Sequence, residues 1–339
     1  MTISKRIGIV GLGRMGERIA RAAQGLGHEI AAVYDAADAA YAFGPSPHLA
    51  ALRVASMAEF WAAGVDLMAI ATYGPTHCAY LREGLEHGIR RFLVEKPLAT
   101  SLTEARATAE LATAAGARVV VNHGRRYCAV YDRLKQWDGS PEMGPLASAV
   151  LTMGAGGLGC MGIHFFDLFN RVFGRAETVY ATLTQTRGRN PRGDEFDDPG
   201  GTVVIGYGGG RRAIVDMGDD VGVPGRMDFI YERGRVEIVA ELSPWRILRR
   251  PLESRALPAT RYGMPLEEVA FDGFTPCEII YATSGAVADA LADGETASGI
   301  DTGLASMEIY AALRWSAKTG GPVSLPLPAE AETAAYAIT

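Results

Sequence analysis

The sequence has no surplus of positive charge, no long apolar run and no closely spaced cysteine pair, and each absence excludes a class of function. A formal net charge of −6 leaves no basic footprint for nucleic acid. No apolar stretch approaches the roughly twenty residues that cross a bilayer, so no membrane segment is expected. Cys78, Cys128, Cys160 and Cys277 form no CxxC pair and no framework, and they read as reduced thiols of a cytoplasmic protein. His, Cys, Asp and Glu nowhere cluster at metal-ligand spacing, so no metal is expected. There are no repeats and no low-complexity tracts. A glycine motif opens within a few residues of Met1, which leaves no room for a signal peptide. With 48% apolar and 21% charged residues, the chain reads as a soluble globular protein with ample core. Its 339 residues suit two domains.

The organising stretch is IGIVGLGRMG, Ile7 to Gly16. An apolar run ends in Gly11-Leu12-Gly13-Arg14-Met15-Gly16, and Glu17 to Leu26 follows with apolar residues at helical spacing. In this strand–turn–helix order Gly11 permits the tight turn, Gly13 lets the backbone approach a pyrophosphate, and Gly16 lets helix and strand pack closely. The first helical amides then point at the phosphates. A second apolar run, Glu29 to Tyr34, ends in Asp35, about twenty residues on, where an acid bonds the adenosine ribose and repels a 2′-phosphate. The expected cofactor is therefore NAD in preference to NADP.

Further along, Ser56 is placed to cap a helix to Ala63, after a short strand at Leu52 to Ala55. Asp66 to Thr72 and Arg91 to Val94 are near-continuous apolar runs, as in parallel strands buried on both faces. A helix lies between them, and Ser101-Leu102-Thr103-Glu104 is a capping box opening a helix to Ala115. Arg118 to Asn122 is one more strand. The alternation predicts a Rossmann-type doubly wound parallel sheet over residues 1–122. From there short strands dominate, after a helix at Tyr127 to Trp137 and another at Met161 to Phe173. They predict an α+β domain with a mostly antiparallel, open-faced sheet over 123–325, followed by a tail, 326–339. Thr186 to Gly200 reads as a solvated loop, with a covering role over a site as the other reading.

Five segments carry a resemblance over nearly the whole chain: GLGRMG, ATYGPTH (Ala71 to His77), VEKPLATS (Val94 to Ser101), NHGRRY (Asn122 to Tyr127) and GIHFFDLFNRVFG (Gly162 to Gly174). With the closing SAKTGGPVSLPL, they resemble the Gfo/Idh/MocA family of glucose–fructose oxidoreductase, inositol dehydrogenase and relatives. The resemblance implies a pyridine-nucleotide oxidoreductase acting on a sugar-like alcohol or ketone. It also implies a homodimer or homotetramer formed through the C-terminal sheet, with Lys96 as the catalytic lysine. One departure stands out. The family commonly has an aspartate four residues before the histidine of the GxHxxD segment, and here that position is Cys160.

Lys96 follows a buried strand, where open α/β sheets bind ligands. Its ammonium is suited to stabilise charge developing on a substrate oxygen; the bland alternative is an ion pair with Glu95. His164 is the expected acid/base group. Asp167 and Arg171, three and seven residues further, share its stripe. Asp167 either orients the imidazole or binds substrate, Cys160 either borders the substrate or is an inert interior thiol, and Arg171 is assigned to a polar outer face, the bland reading of the whole stripe. Thr72, His77 and Glu95 join Gly11, Gly13, Arg14, Met15, Gly16, Asp35 and Lys96 as expected cofactor contacts, although His77 reads equally as a satisfied helix residue. Arg126 and Tyr127 either bind substrate or serve packing. The expected activity is hydride transfer between NAD(H) and a sugar, nucleotide-sugar or cyclitol. The alternatives are a redox-neutral enzyme with tightly held NAD (hydride shuttling or glycoside cleavage) and a non-catalytic dinucleotide-binding regulator.

Overall fold

The structure, a computed structural model, describes residues 3–37, 47–154, 156–184, 193, 195–218, 222, 224–258 and 266–338. The chain divides into two compact units. The first comprises Met1–Tyr127, Ile279–Met307 and Glu332–Thr339, and the second Cys128–Glu278 and Glu308–Ala331.

The first unit begins with β1 (Arg6–Val10), α1 (Arg14–Gly25), β2 (Glu29–Tyr34), α2 (Pro47–Ala50), α3 (Met57–Ala62) and β3 (Leu67–Ile70). It continues with α4 (His77–Glu86), β4 (Arg91–Val94), α5 (Leu102–Ala114) and β5 (Arg118–Val121). Among the described residues these strands form one parallel sheet, ordered β2-β1-β3-β4-β5. Both faces are covered, which is why the strands read as continuous apolar runs. Ile7 and Ile9 face Ile19 and Ala23 of α1, while Val10, Met68 and Phe92 face Phe60, Leu81 and Ala105 of α3, α4 and α5. Ser56 and Ser101 cap α3 and α5 by accepting the amides of Glu59 and Glu104. The strand order reverses beside β1, so the carboxyl ends of β1, β2, β3 and β4 line one edge where such sheets take ligands.

The second unit opens with α6 (Asp132–Trp137) and β6 (Leu146–Gly154). A π-helical turn, Leu158–Gly162, then runs into α7 (Ile163–Phe173). Seven strands follow: β7 (Ala176–Leu183), β8 (Gly201–Tyr207), β9 (Arg211–Gly218), β10 (Arg226–Tyr231), β11 (Gly234–Ile238), β12 (Arg246–Arg249) and β13 (Glu267–Val269). After α8 (Ile279–Leu291) and α9 (Ile300–Thr319) come β14 (Val323–Ser324) and α10 (Ala329–Glu332). Among the described residues the second sheet runs β13-β12-β11-β10-β6-β9-β8-β7-β14. Its pairings are antiparallel except for β6 with β9. Aromatic residues of α7 fill one face: Phe169 meets Phe229 of β10, and Phe173 stacks on Tyr207 of β8 with centroids 5.0 Å apart.

The structure departs from the sequence reading in several places. Cys128 and Cys277 are not reduced thiols. They are joined in a disulfide with Cα atoms 5.3 Å apart, although 149 residues separate them. Only the fold brings such a pair within bonding range, and with it the cysteine usage stops arguing for a reducing compartment. Cys78 and Cys160 are not in disulfides.

The domain limits differ as well. α8 falls in the first unit, because Ala286, Val287 and Ala290 share a core with Ile19 and Ala23. Residues 332–338 also return there. Ala335 bridges Ser101, the Tyr336 amide donates to the Thr100 carbonyl at 2.8 Å, and Ile338 is buried. Tyr127 to Trp137 is not one helix but two 3-10 turns, Gly124–Tyr127 and Ala129–Tyr131, followed by α6. Leu52 to Ala55 supplies a single bridge, Arg53 with Val33, rather than a strand. Residues 185–192 and 194, most of the Thr186 to Gly200 loop, lie outside the described residues.

Candidate functional site

The glycine turn between β1 and α1 has the shape its spacing demands. Gly11 sits at φ 97°, a conformation that disfavours any side chain, and a Cβ there would lie 2.6 Å from the Ala71 carbonyl carbon. A Cβ on Gly16 would be driven into the Gly11 carbonyl oxygen. A Cβ on Gly13 would meet no atom within 4 Å, so this backbone borders space open to a ligand. α1 starts at Arg14 with Gly13 as its cap and no side-chain cap, which keeps its first amides directed outward. Arg14 is exposed, and Met15 packs at the edge of the core. The residues present therefore fit a dinucleotide diphosphate.

Asp35, half-buried at the end of β2, accepts the Leu12 amide on Oδ2 at 2.7 Å and the Ala37 amide on Oδ1 at 2.9 Å. The carboxylate thus braces the glycine turn. With about four lone-pair positions on its two oxygens it can still accept hydroxyl donors.

Beyond β3, the Thr76 hydroxyl donates to Thr72 Oγ1 at 2.7 Å across the 3-10 turn Gly74–Thr76. His77 is fully buried. Its Nδ1 lies 2.7 Å from the Pro97 carbonyl and its Nε2 lies 3.3 Å from the Thr72 carbonyl. A carbonyl only accepts, so at the shorter contact the Nδ1–H group donates to Pro97. His77 thereby ties the segment after β3 to the segment after β4. Glu95 is buried and accepts the Asn122 amide on Oε1 at 2.6 Å. Lys96 is half-buried between Glu95 and Pro97, and the Lys96–Pro97 bond is cis.

Arg126 and Tyr127 are half-buried and engaged with the C-terminal part of the first unit. Arg126 Nη1 donates to the Ala297 carbonyl at 2.9 Å, and the Tyr127 hydroxyl to Asp289 Oδ2 at 2.8 Å. Burial first, and then the Asp289 contact, push the Tyr127 phenol far above its ordinary range. Asp289 also receives Arg118 at 2.6 Å, so this cluster anchors α8.

In the second unit, Cys160, His164 and Asp167 share the π-turn and α7. Cys160 and His164 are half-buried, and Asp167 is buried rather than on a polar outer stripe. Arg171 Nη2 pairs with Asp132 at 2.6 Å. The π-turn is held by Asp198, itself buried, which accepts the amides of Gly159 on Oδ1 at 2.6 Å and of Cys160 on Oδ2 at 2.7 Å. Carboxylate acceptors of backbone amides are among the stronger hydrogen bonds in proteins. Asp198 and Asn122 escaped the sequence reading. Asp198 is one acid of several in a polar run and Asn122 ends a strand, so neither carries a spacing signal. Among the described residues no group of three His, Cys, Asp or Glu side chains could hold a metal, and no helix is long and apolar enough to cross a membrane.

A comparison with curated proteins finds no match. Solved structures give the fold over nearly the whole chain. An Agrobacterium radiobacter oxidoreductase, solved with NAD+, L-tartaric acid and magnesium, superposes with a TM-score of 0.72 at 18% identity, over 95% of this chain and 98% of that one. The WlbA dehydrogenase of Bordetella pertussis, solved with NADH and UDP-GlcNAcA, gives 0.70 at 18% identity, over 96% and 100%. A putative myo-inositol dehydrogenase of Sinorhizobium meliloti gives 0.71 at 20% identity, over 95% and 100%. Residues 5–123, the stretch that holds the glycine turn and Asp35, match the model of the Gfo/Idh/MocA oxidoreductase family with an NAD-binding Rossmann fold.

Proposed function

We propose that the chain is an NAD(H)-dependent oxidoreductase that transfers hydride between the nicotinamide and a sugar, nucleotide-sugar or cyclitol alcohol or ketone. The observation that carries this reading is the placement of Lys96. It follows β4 on the same carboxyl edge that holds the glycine turn after β1 and Asp35 after β2, and His77 and Asn122 brace its neighbours. The nicotinamide, when bound, supplies the hydride acceptor or donor. Lys96 hydrogen-bonds the reacting oxygen and stabilises the negative charge that grows on it. His164, presented by the π-turn and α7, takes the hydroxyl proton in oxidation and returns it in reduction. The nucleotide sugar bound to the Bordetella dehydrogenase, and the naming of the Sinorhizobium protein as a putative myo-inositol dehydrogenase, support this substrate class.

Asp35 supports NAD over NADP, because a 2′-phosphate would meet its carboxylate. Tyr180 and Val204 lie exposed on adjacent strands β7 and β8, which supports self-association through that sheet face into a homodimer or homotetramer.

The test is a screen of sugars, nucleotide sugars and cyclitols with NAD and NADP, read at the NADH absorbance. Turnover with NAD on a polyol is expected. Cofactor that stays bound through purification and never appears free as NADH would point to hydride shuttling within one turnover instead. Failure to bind either dinucleotide would overturn the reading.

A further inference from the structure

Arg53 lies outside every motif in the sequence, on the exposed margin of the first sheet. Leu52 to Val54 runs alongside β2: the Val33 amide donates to the Leu52 carbonyl at 3.1 Å, and the Val54 amide to the Val33 carbonyl at 2.9 Å. This pairing points the Arg53 side chain along the sheet edge toward the turn that follows β2. There Nη2 donates to two carbonyls of that turn, Asp35 at 3.0 Å and Ala37 at 2.9 Å. The same turn is closed from within by the Asp35 side chain, which accepts the Ala37 and Leu12 amides. Guanidinium and carboxylate thus hold one short turn, Arg53 through the carbonyls of Asp35 and Ala37 and the Asp35 side chain through the Ala37 amide, while that side chain also accepts the Leu12 amide of the glycine turn.

We propose that Arg53 is a specificity-determining residue for the dinucleotide. It fixes the turn at residues 35–37 so that the Asp35 carboxylate is presented to the adenosine ribose hydroxyls and held where a 2′-phosphate must meet it. The proposal rests on the reading that Asp35 faces that ribose. Discrimination by a carboxylate needs a stiff mount, because one that can swing aside neither bonds the hydroxyls in full nor repels the phosphate. The Leu12 amide fixes one side of that mount and Arg53 the other. Nη2 donates to two carbonyl oxygens of the turn, so this end of the guanidinium is anchored there. Moving the guanidinium to a phosphate would release the turn.

NADH and NADPH are titrated by fluorescence into the full-length protein and its Arg53→Ala, Arg53→Gln and Arg53→Lys variants, each first checked by a thermal melt. Arg53→Ala is expected to raise the NADH Kd about fivefold to tenfold, as loss of one or two modest hydrogen bonds implies. The NADPH Kd should change less, so the preference narrows. Arg53→Lys, whose ammonium still donates to carbonyls, should recover most of the NADH affinity. Equal weakening of both dinucleotides, or no change in either, overturns the proposal. Stronger loss of NADPH than of NADH also overturns it, because the guanidinium would then be the partner of a 2′-phosphate. If Arg53→Ala does not fold, the Gln and Lys variants decide by the same ratio. Failure of the Asp35 reading is seen separately, in the unmodified protein, as binding of neither dinucleotide or as preference for NADPH, and the role of Arg53 falls with it.

Discussion

The amide of Cys160 donates to the carboxylate of Asp198 at 2.7 Å, so the turn that leads to His164 is pinned by an acid 38 residues away in sequence. Position 160 carries a cysteine and not an aspartate, yet a buried carboxylate lies against its backbone. Asp198→Ala should leave the amides of Gly159 and Cys160 without this acceptor. Each charge-assisted bond contributes about 1.5–3 kcal/mol. A fall in Tm of about 5 °C or more is expected by calorimetry. Asp198→Asn, which keeps one acceptor oxygen, should lie between. An unchanged melt for both would mean that the turn is held by other contacts.

Lys96→Met should abolish most turnover and leave NADH affinity close to that of the unmodified protein. Loss of one donor to a developing oxyanion costs about 100-fold or more in kcat, and it acts where charge grows rather than where substrate first binds. Steady-state kinetics on a polyol found by the screen, beside an NADH titration, checks this. Retention of the original kcat removes the lysine from the chemistry.

His77 links the Pro97 and Thr72 carbonyls from a fully buried position. His77→Leu removes the donor to Pro97 and should cost about 1–3 kcal/mol of stability, the usual penalty for stranding a buried polar group. In His77→Asn the amide nitrogen sits close to the place of Nδ1, so this variant should retain more of the stability. Urea unfolding of the two variants tests the pair. Equal destabilisation would show that packing of the ring, not its hydrogen bond, is what matters.

Cys78 gives the first unit a signature in alkali. Burial pushes its thiol up from 9.0 to about 11. As pH rises past 9 the unfolded chain loses this proton first, so the unfolded state binds fewer protons and stability falls. The contribution is intact below about pH 9 and is lost between 9 and 11, about 2–3 kcal/mol in all for a shift of this size. Unfolding free energies measured from pH 8 to 10.5 should therefore decline more steeply for the unmodified protein than for Cys78→Ala. Parallel curves would contradict a raised thiol pKa.

Much of the first unit was legible because its signals are local. The Ser56 and Ser101 caps, the φ of Gly11, the doubly buried runs of β3 and β4, and the acid closing β2 each act within a few residues, and sequence spacing reports such effects directly. The same holds for the pieces of the candidate site that sit on strand ends: the glycine turn, Asp35, Thr72, Glu95 and Lys96. Spacing could show that His164 and Asp167 share a helix, but not that Asp167 is buried while His164 is half-exposed, since that depends on what covers each side of α7.

The tertiary structure decided the rest. α8 lies far along the chain, yet its small apolar face belongs to the core beneath β1, and burial of that face rather than chain order sets the unit boundary. The Cys128–Cys277 bond, the return of residues 332–338 to Ser101, the grip of Asp198 on Cys160 and that of Arg53 on the turn after Asp35 join residues whose separations follow no period. A single acid or arginine in a polar run looks like any solvated residue until the fold brings it to its partner. The sequence alone marked most elements of the first unit and named the residues proposed to carry chemistry. Folding determined which of those residues are held still, because the hydrogen bonds that hold them cross between elements.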